Sequence, residues 1–313
     1  MFLCFIQQNI YLETDYDKFI GLLQSGDRKA IARAITIVEN ELEGWEIILK
    51  KIKRQSVPVV GITGPPGAGK STLINALLRR LSEVGKNVAI VAVDPTSPFN
   101  FGSLLGDRLR MAEHFNSSSV FIRSLATRGS LGGLSEKIIE ITDVLCSANF
   151  DLIIVETVGV GQSEVEIAGL ADTTVVVVVP ESGDEVQALK SGIMEIADIF
   201  VVNKADRDGA DALVNNLQKM MHHQMSESWI VPVIKTVASQ ADGVEELILQ
   251  IENHQKSGSQ NSKKNFLLAE KAYKLIRRRR MMDVNKEEIR QQISKEAEKA
   301  DFNLYLFADQ YKK

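Results

Sequence analysis

Short apolar runs recur through the middle of the chain: Val57–Ile62, Val88–Val93, Val120–Ile122, Leu152–Val155, Thr174–Val179, Ile199–Val202 and Ile230–Ile234. Runs of this length without polar alternation predict strands buried on both faces, as in a parallel sheet. Helical periodicity lies between them. Leu73, Leu77, Leu81 and Val84 recur on one face with Ile74 and Leu78 beside them, and Gly85 supplies a stop. Strands alternating with helices imply right-handed crossovers and helices flanking the sheet.

The pattern changes at both ends. Residues 1–55 carry helix-spaced groups: Phe19, Leu22 and Leu23; then Ile31, Ala34, Ile35 and Val38; then Leu42, Trp45, Ile48, Leu49 and Ile52. Asn253–Lys264 has only polar and small residues and reads as a linker. Beyond it, 266–276 and 286–307 read as helical, with Phe266, Ala269, Tyr273 and Ile276 forming a stripe. The expected organisation is an N-terminal helical extension (1–55), a nucleotide-binding α/β domain (56–254), and a linker with a C-terminal helical arm (255–313). About 50 residues have little room for a core of their own, so the arm is expected to build a homodimer, folding back on its own chain being the alternative.

The first strand runs into Gly64-Pro65-Pro66-Gly67-Ala68-Gly69-Lys70-Ser71, then Thr72 and the helix. This fits the phosphate-loop pattern Gly-x4-Gly-Lys-Ser/Thr in its required strand–loop–helix context. Backbone N–H groups must turn toward polyphosphate oxygens, and side chains on the glycines would obstruct that path. Lys70 is expected to reach the β- and γ-phosphates, Ser71 to offer its hydroxyl to Mg²⁺, and the helix N-terminus to face the anion. The fold class is therefore an α/β P-loop NTPase with helical extensions.

Further candidates stand at the strands' carboxyl ends, where ligands of such sheets bind. Asn203-Lys204-Ala205-Asp206 follows one strand. Guanine presents N1–H and N2–H₂ as adjacent donors, which the Asp206 carboxylate can accept together; adenine has no such pair. Asn203 and Lys204 would brace the loop and cover the base, whereas a plain helix cap at Asp206 is the structural alternative. Val237 and Ala238 follow the last strand, with a backbone N–H expected to meet guanine O6. Glu156 closes another strand ahead of Gly159, whose N–H is placed for the γ-phosphate. Glu156 can support Mg²⁺ directly or through water, or serve as an ordinary ion-pair residue. Asp94 and Asp107 are candidates for the Mg²⁺ water shell or the attacking water; for Asp107 a surface-loop role is the alternative. Val160, not Gln, follows Gly159, so hydrolysis by the isolated protein should be slow.

Composition narrows the classes. Net charge is −4, which gives no reason to expect nucleic acid or anionic membrane as main partner. The only cysteines are Cys4 and Cys146, without a CxxC, which signals neither a disulfide framework nor a thiolate metal site. No basic residue precedes the apolar start, and Val175–Val179 is far too short to span a bilayer, so a cytoplasmic protein is expected.

Together these residues resemble the methylmalonyl-CoA mutase-associated GTPases (the MeaB family, once named for arginine/ornithine transport). The resemblance runs through Gly26-Asp27-Arg28, the phosphate loop, Val93-Asp94-Pro95, Leu105-Gly106-Asp107-Arg108, Gly129–Gly133 and Val155–Glu164. It continues in Gly183–Gln187, Gly192–Glu195, Asn203–Asp206 and Lys235–Ser239. It implies GTP and GDP as ligands and catalytic roles for Lys70, Glu156, Asp94 and Asp107, with Ser71, Asp94, Asp107 and Glu156 around Mg²⁺. It implies a third switch with Asp184, Gln187 and Lys190 coupling nucleotide state to a partner, and a C-terminal dimerisation arm. The implied function is a chaperone that gates adenosylcobalamin loading and protects a coenzyme-B12-dependent acyl-CoA mutase. That mutase is the expected partner, with the adenosyltransferase as a second. No cobalamin site is identified in the chain itself. Family members carry Gly-Ala ahead of Gly-Asp-Glu, where this chain has Glu181-Ser182. The alternatives are a nickel-insertion GTPase, which four His and two Cys serve poorly, a transport-linked kinase or ATPase, which Asn203–Asp206 opposes, and a nucleotide-dependent scaffold that never turns over.

Overall fold

The computed structural model describes residues 16–94, 114, 117–126, 137–157, 163–182, 193–222, 229–257, 262–281, 284–297 and 302–311. All seven apolar runs are strands of one parallel sheet: β1 (Val59–Thr63), β2 (Val88–Asp94), β3 (Val120–Ala126), β4 (Leu152–Glu156), β5 (Thr173–Val178), β6 (Ile199–Asn203) and β7 (Val233–Thr236). Their order is β3-β2-β4-β1-β5-β6-β7. The chain moves outward from β1 to β3, returns through β4, and then builds the other half, so β1 lies at the reversal. Two strand starts are later than the apolar runs. Pro58 and Pro232 lack an N–H and cannot donate to a ladder, although their carbonyls accept from Ile153 and Phe200.

Between the strands lie α4 (Lys70–Glu83), α5 (Ile138–Cys146), α6 (Ser163–Leu170), α7 (Ile193–Ile196) and α8 (Ala210–His222), and α9 (Val244–Lys256) follows β7. One core layer joins Ile62, Ile90, Ile154, Val177 and Val201 to Leu73, Ile74 and Leu77 of α4 and to Leu247 of α9. The opposite layer joins Val176, Val178, Phe200 and Val202 to Leu213, Val214 and Leu217 of α8. Gly61 faces α6, where an added Cβ would run into Ile167, so only glycine lets that helix lie on β1.

The N-terminal preface is helical, with α1 (Tyr16–Gln24), α2 (Arg28–Glu39) and α3 (Trp45–Lys51). Asp27 caps α2 by accepting from Ala30 N–H at 2.7 Å. Ile31, Ala34, Ile35 and Val38 bury one face of α2. Arg28 then lies over Phe121 and Phe150, 5.7 and 5.3 Å from the ring centres, and donates to Ser118 O at 2.6 Å. Its guanidinium is desolvated there, which lowers its pKa.

The amino-terminal edge of the sheet holds a buried histidine. His254 of α9 pairs Nδ1 with Thr173 Oγ1 at 2.9 Å and sets Nε2 3.4 Å from Asp198 Oδ1. The Trp229 ring packs edge-on at 4.8 Å. Desolvation lowers the His254 pKa, with Asp198 and Asp172 opposing it. The unfolded chain, titrating near the ordinary value of about 6.5, then binds this proton at higher pH than the native protein. The stability is whole above that value and falls as pH drops from there toward the lower folded pKa. Urea denaturation at pH 7.5 and 5.5 is expected to show a loss at the lower pH, with a local slope of at most about 1.4 kcal/mol per pH unit from this group. The loss should shrink in His254→Gln. An unchanged pH dependence in the variant would exclude His254 as its source.

The chain divides into two compact units, 1–264 and 265–313. Within the polar run expected as a linker, α9 continues through Lys256 and α10 (Ser262–Arg280) begins. The buried His254 anchors the end of α9. In the second unit, α11 (Lys286–Glu296) and α12 (Leu304–Asp309) follow α10. The region expected as helical over 286–307 holds α11 and the start of α12, which Asn303 caps by accepting from Tyr305 and Leu306 N–H. Phe307 is buried between Phe302 and Tyr311, whereas Phe266, Tyr273, Ile276, Leu304, Tyr305 and Leu306 are exposed.

Candidate nucleotide site

The loop between β1 and α4 lies at the carboxyl edge of the sheet, beside the point where strand order reverses. Gly64, Gly67 and Gly69 take φ values of 143°, 78° and 87°, a region that other residues adopt only at a steric cost. At Gly64 a Cβ would also strike the Val177 carbonyl. The loop thus turns sharply into α4, whose first residues are Lys70, Ser71 and the exposed Thr72. The first-turn N–H groups and positive dipole end of α4 make this an anion-binding terminus. Pro65, Pro66 and Ala68 complete the arc, with Ala68 fully buried.

Lys70 is buried and donates to Gly64 O at 2.8 Å and Pro65 O at 3.1 Å, which holds its ammonium against the loop. Ser71 donates its hydroxyl to Glu156 Oε1 at 2.8 Å, with both groups buried. β4 aligns Glu156 with Ile62 of β1, one residue before the strand's end. Thr157, the next residue, donates from its hydroxyl to Thr63 Oγ1 at 2.8 Å and from its N–H to Ile62 O at 3.1 Å. The exits of β1 and β4 are therefore tied together where hydroxyl and carboxylate oxygens meet. Asp94 ends β2, two residues beyond the position paired with Glu156; its side chain lies outside the described structure, as do all of Asp107, Gly159, Asp184, Gln187 and Lys190.

Among the described residues no group of three or more His, Cys, Asp or Glu could hold a metal ion. That donor chemistry still fits Mg²⁺, which keeps several waters and takes one or two protein oxygens plus phosphate; Ser71 and Glu156 supply two adjacent hard oxygens.

Asn203 joins this loop to the next. Its Nδ2 donates to Ala68 O at 2.8 Å, and its Oδ1 accepts from Thr236 Oγ1 at 3.0 Å and from Ala238 N–H at 3.2 Å. A 2% exposed side chain thus spans the phosphate loop, the end of β6 and the segment after β7. Lys204, at a left-handed φ of 56°, reaches back to Gly67 O at 2.8 Å. Asp206 is exposed on the turn that follows. Val237 N–H donates to Asp242 O at 3.2 Å and Ala238 N–H to Asn203 Oδ1 at 3.2 Å, so the segment after β7 is held against Asn203 at the edge of the site.

Three contributors were not singled out from the sequence. Thr63 and Thr157 could have been flagged as hydroxyls at adjacent strand exits. Arg207 carries no motif signal, yet it pairs with Glu181. That hydrogen bond, more than the charge, holds the Glu181 carboxyl below the usual range. The chain's Glu181-Ser182 departure from Gly-Ala thus has a partner directly after Asp206.

A family model described as methylmalonyl Co-A mutase-associated GTPase MeaB matches residues 31–297. A protein of Pyrococcus horikoshii, provisionally named a GTPase, is 49% identical over 263 residues, covering 82% of this chain and 81% of the relative. The GTPase ArgK of Escherichia coli is 35% identical over 73% of this chain and 72% of its own length. The mouse mitochondrial methylmalonic aciduria type A homolog is 37% identical over 74% of this chain and 61% of its own. In fold, the chain is similar to the crystal structure of a LAO/AO transport system kinase, with a TM-score of 0.67 over 94% of this chain and 95% of that one at 24% identity.

Proposed function

The chain belongs to the MeaB family of methylmalonyl-CoA mutase-associated GTPases, and on that premise we propose that it is a GTP-hydrolysing chaperone of a coenzyme-B12-dependent acyl-CoA mutase, gating adenosylcobalamin loading and protecting the mutase. The observation that carries the nucleotide half of this reading is the buried Asn203, which fastens the phosphate loop to the base loop in one hydrogen-bonded unit. The partner half rests on the family.

In this reading the loop N–H groups and Lys70 bind the phosphates, and Asp206 accepts the two guanine donors. Lys204 covers the base from its position against Gly67. Ser71 and Glu156 would hold Mg²⁺, which would supply positive charge against the phosphates. Asp94 and Asp107 orient the attacking water, Gly159 meets the γ-phosphate, and Asp184, Gln187 and Lys190 report nucleotide state to the mutase. Because Val160 stands where Ras-like enzymes place a glutamine, turnover is slow alone and rises when the partner completes the site. The function is tested by whether a cobalamin-dependent acyl-CoA mutase accelerates phosphate release.

The C-terminal unit builds a homodimer in the same reading. Support comes from its exposed apolar residues, with Phe266 69%, Tyr273 61% and Tyr305 82% exposed in the single chain. Light scattering is expected to give twice the chain mass for the full-length protein and a monomer for a truncation after Ser257, which keeps His254 and all of α9. A monomeric full-length protein would refute the arm, and a dimeric truncation would move the interface elsewhere.

A further inference from the structure

We propose that a cavity between α4 and α9, toward the amino-terminal edge of the sheet, binds a small uncharged apolar molecule carrying one hydrogen-bond acceptor. The cavity measures about 180 Å³ and is walled by Val60, Leu77, Leu81, Ile154, Ile248 and Ile251. Five of these side chains are buried and Ile248 is partly so. An engineered protein cavity of about 150 Å³ with similar walls stays dry and takes benzene. This space therefore suits a ligand of roughly that size.

Two features set the ligand's polarity. Gln255 lines the cavity, and its Nε2 is buried with no hydrogen-bond partner among the described residues. A buried N–H donor without an acceptor is costly, and a carbonyl or hydroxyl oxygen on the ligand would satisfy it. The solvent side carries Lys86, Asp151 and Glu252. Lys86 already lies 3.8 Å from Asp151, and Glu252 lies 3.9 Å from Lys256, so the lysines beside the mouth are matched by carboxylates. An anionic ligand finds no unmatched cation among these residues, so the acceptor belongs to a neutral group. Leu77 and Leu81 sit on the helix whose first turn holds Lys70 and Ser71, so the ligand would touch the opposite end of the phosphate-loop helix. The cavity is separate from the nucleotide site and stands whether or not the mutase reading does.

The experiment is saturation-transfer NMR on the full-length protein with cyclohexanone, benzene and cyclohexanecarboxylate as probes. Cyclohexanone is expected to receive saturation and the carboxylate to receive none. Ile248→Trp, which fills the space, should abolish transfer to cyclohexanone. Gln255→Leu, which keeps the wall and removes the donor, should weaken cyclohexanone about 10-fold while leaving benzene unchanged, the size of one lost hydrogen bond. GDP binding by both variants reports that they fold, and if Ile248→Trp does not, the Gln255→Leu comparison decides alone. Absence of transfer to cyclohexanone in the unaltered protein would overturn the proposal. So would equal binding of the carboxylate, or a Gln255→Leu variant that binds cyclohexanone as well as before.

Discussion

Asp206→Ala is expected to raise the dissociation constant for GDP by about 10²- to 10⁴-fold and to leave the weak binding of ATP unchanged. The carboxylate would make two charge-assisted hydrogen bonds to guanine, each contributing about 1.5–3 kcal/mol, and every 1.4 kcal/mol is tenfold in affinity. The range allows for loss of one or both. The side chain is exposed, so truncation opens no cavity and the fold should survive; circular dichroism serves as control. Asn203 makes a useful contrast. Its side chain is buried in three hydrogen bonds, so Asn203→Ala would loosen both loops and reduce GTP and ATP binding together. Selective loss in Asp206→Ala is what identifies a base-reading residue. A GDP affinity unchanged in that variant would remove the base-site assignment.

Lys70→Ala and Glu156→Gln are each expected to slow GTP hydrolysis by about 10²- to 10³-fold, the usual scale for removing one preorganised group that meets transition-state charge. They should differ in binding. Lys70 meets phosphate in ground and transition states alike, so its loss weakens GTP binding as well as turnover. Glu156→Gln keeps an oxygen for the Ser71 hydroxyl, now 2.8 Å away, and removes only the charge that would support Mg²⁺. Nucleotide binding should therefore persist in that variant, with a raised Mg²⁺ requirement for turnover. Steady-state phosphate release across a Mg²⁺ titration measures both effects. Near-normal turnover by Glu156→Gln would take that residue off the catalytic assignment.

The strands were legible because a parallel sheet buries both faces, so each strand writes itself as an unbroken apolar run; Val175, Val176, Val177 and Val178 are all fully buried. The phosphate loop was legible because its backbone path demands glycine at Gly64, Gly67 and Gly69, and all three have positive φ. What the sequence did not carry was hydrogen bonding between distant segments. Asn203 was expected to brace its own loop, yet nothing in one chain segment says that it reaches Ala68 on one side and Ala238 on the other. Polar composition did not show that α9 continues through Lys256, where one side chain, His254, is buried. Arg207 and Glu181 form a pair that neither local pattern announces, because the two residues meet only once β5 and β6 lie side by side.

The proposed function turns on communication between the nucleotide site and a mutase. Phosphate release should therefore be measured with saturating GTP and Mg²⁺, with and without a coenzyme-B12-dependent acyl-CoA mutase at stoichiometric concentration. The reading predicts slow release by the protein alone, acceleration by the mutase, and no acceleration of the Lys70→Ala variant. Equal rates with and without a mutase that binds the protein would contradict it.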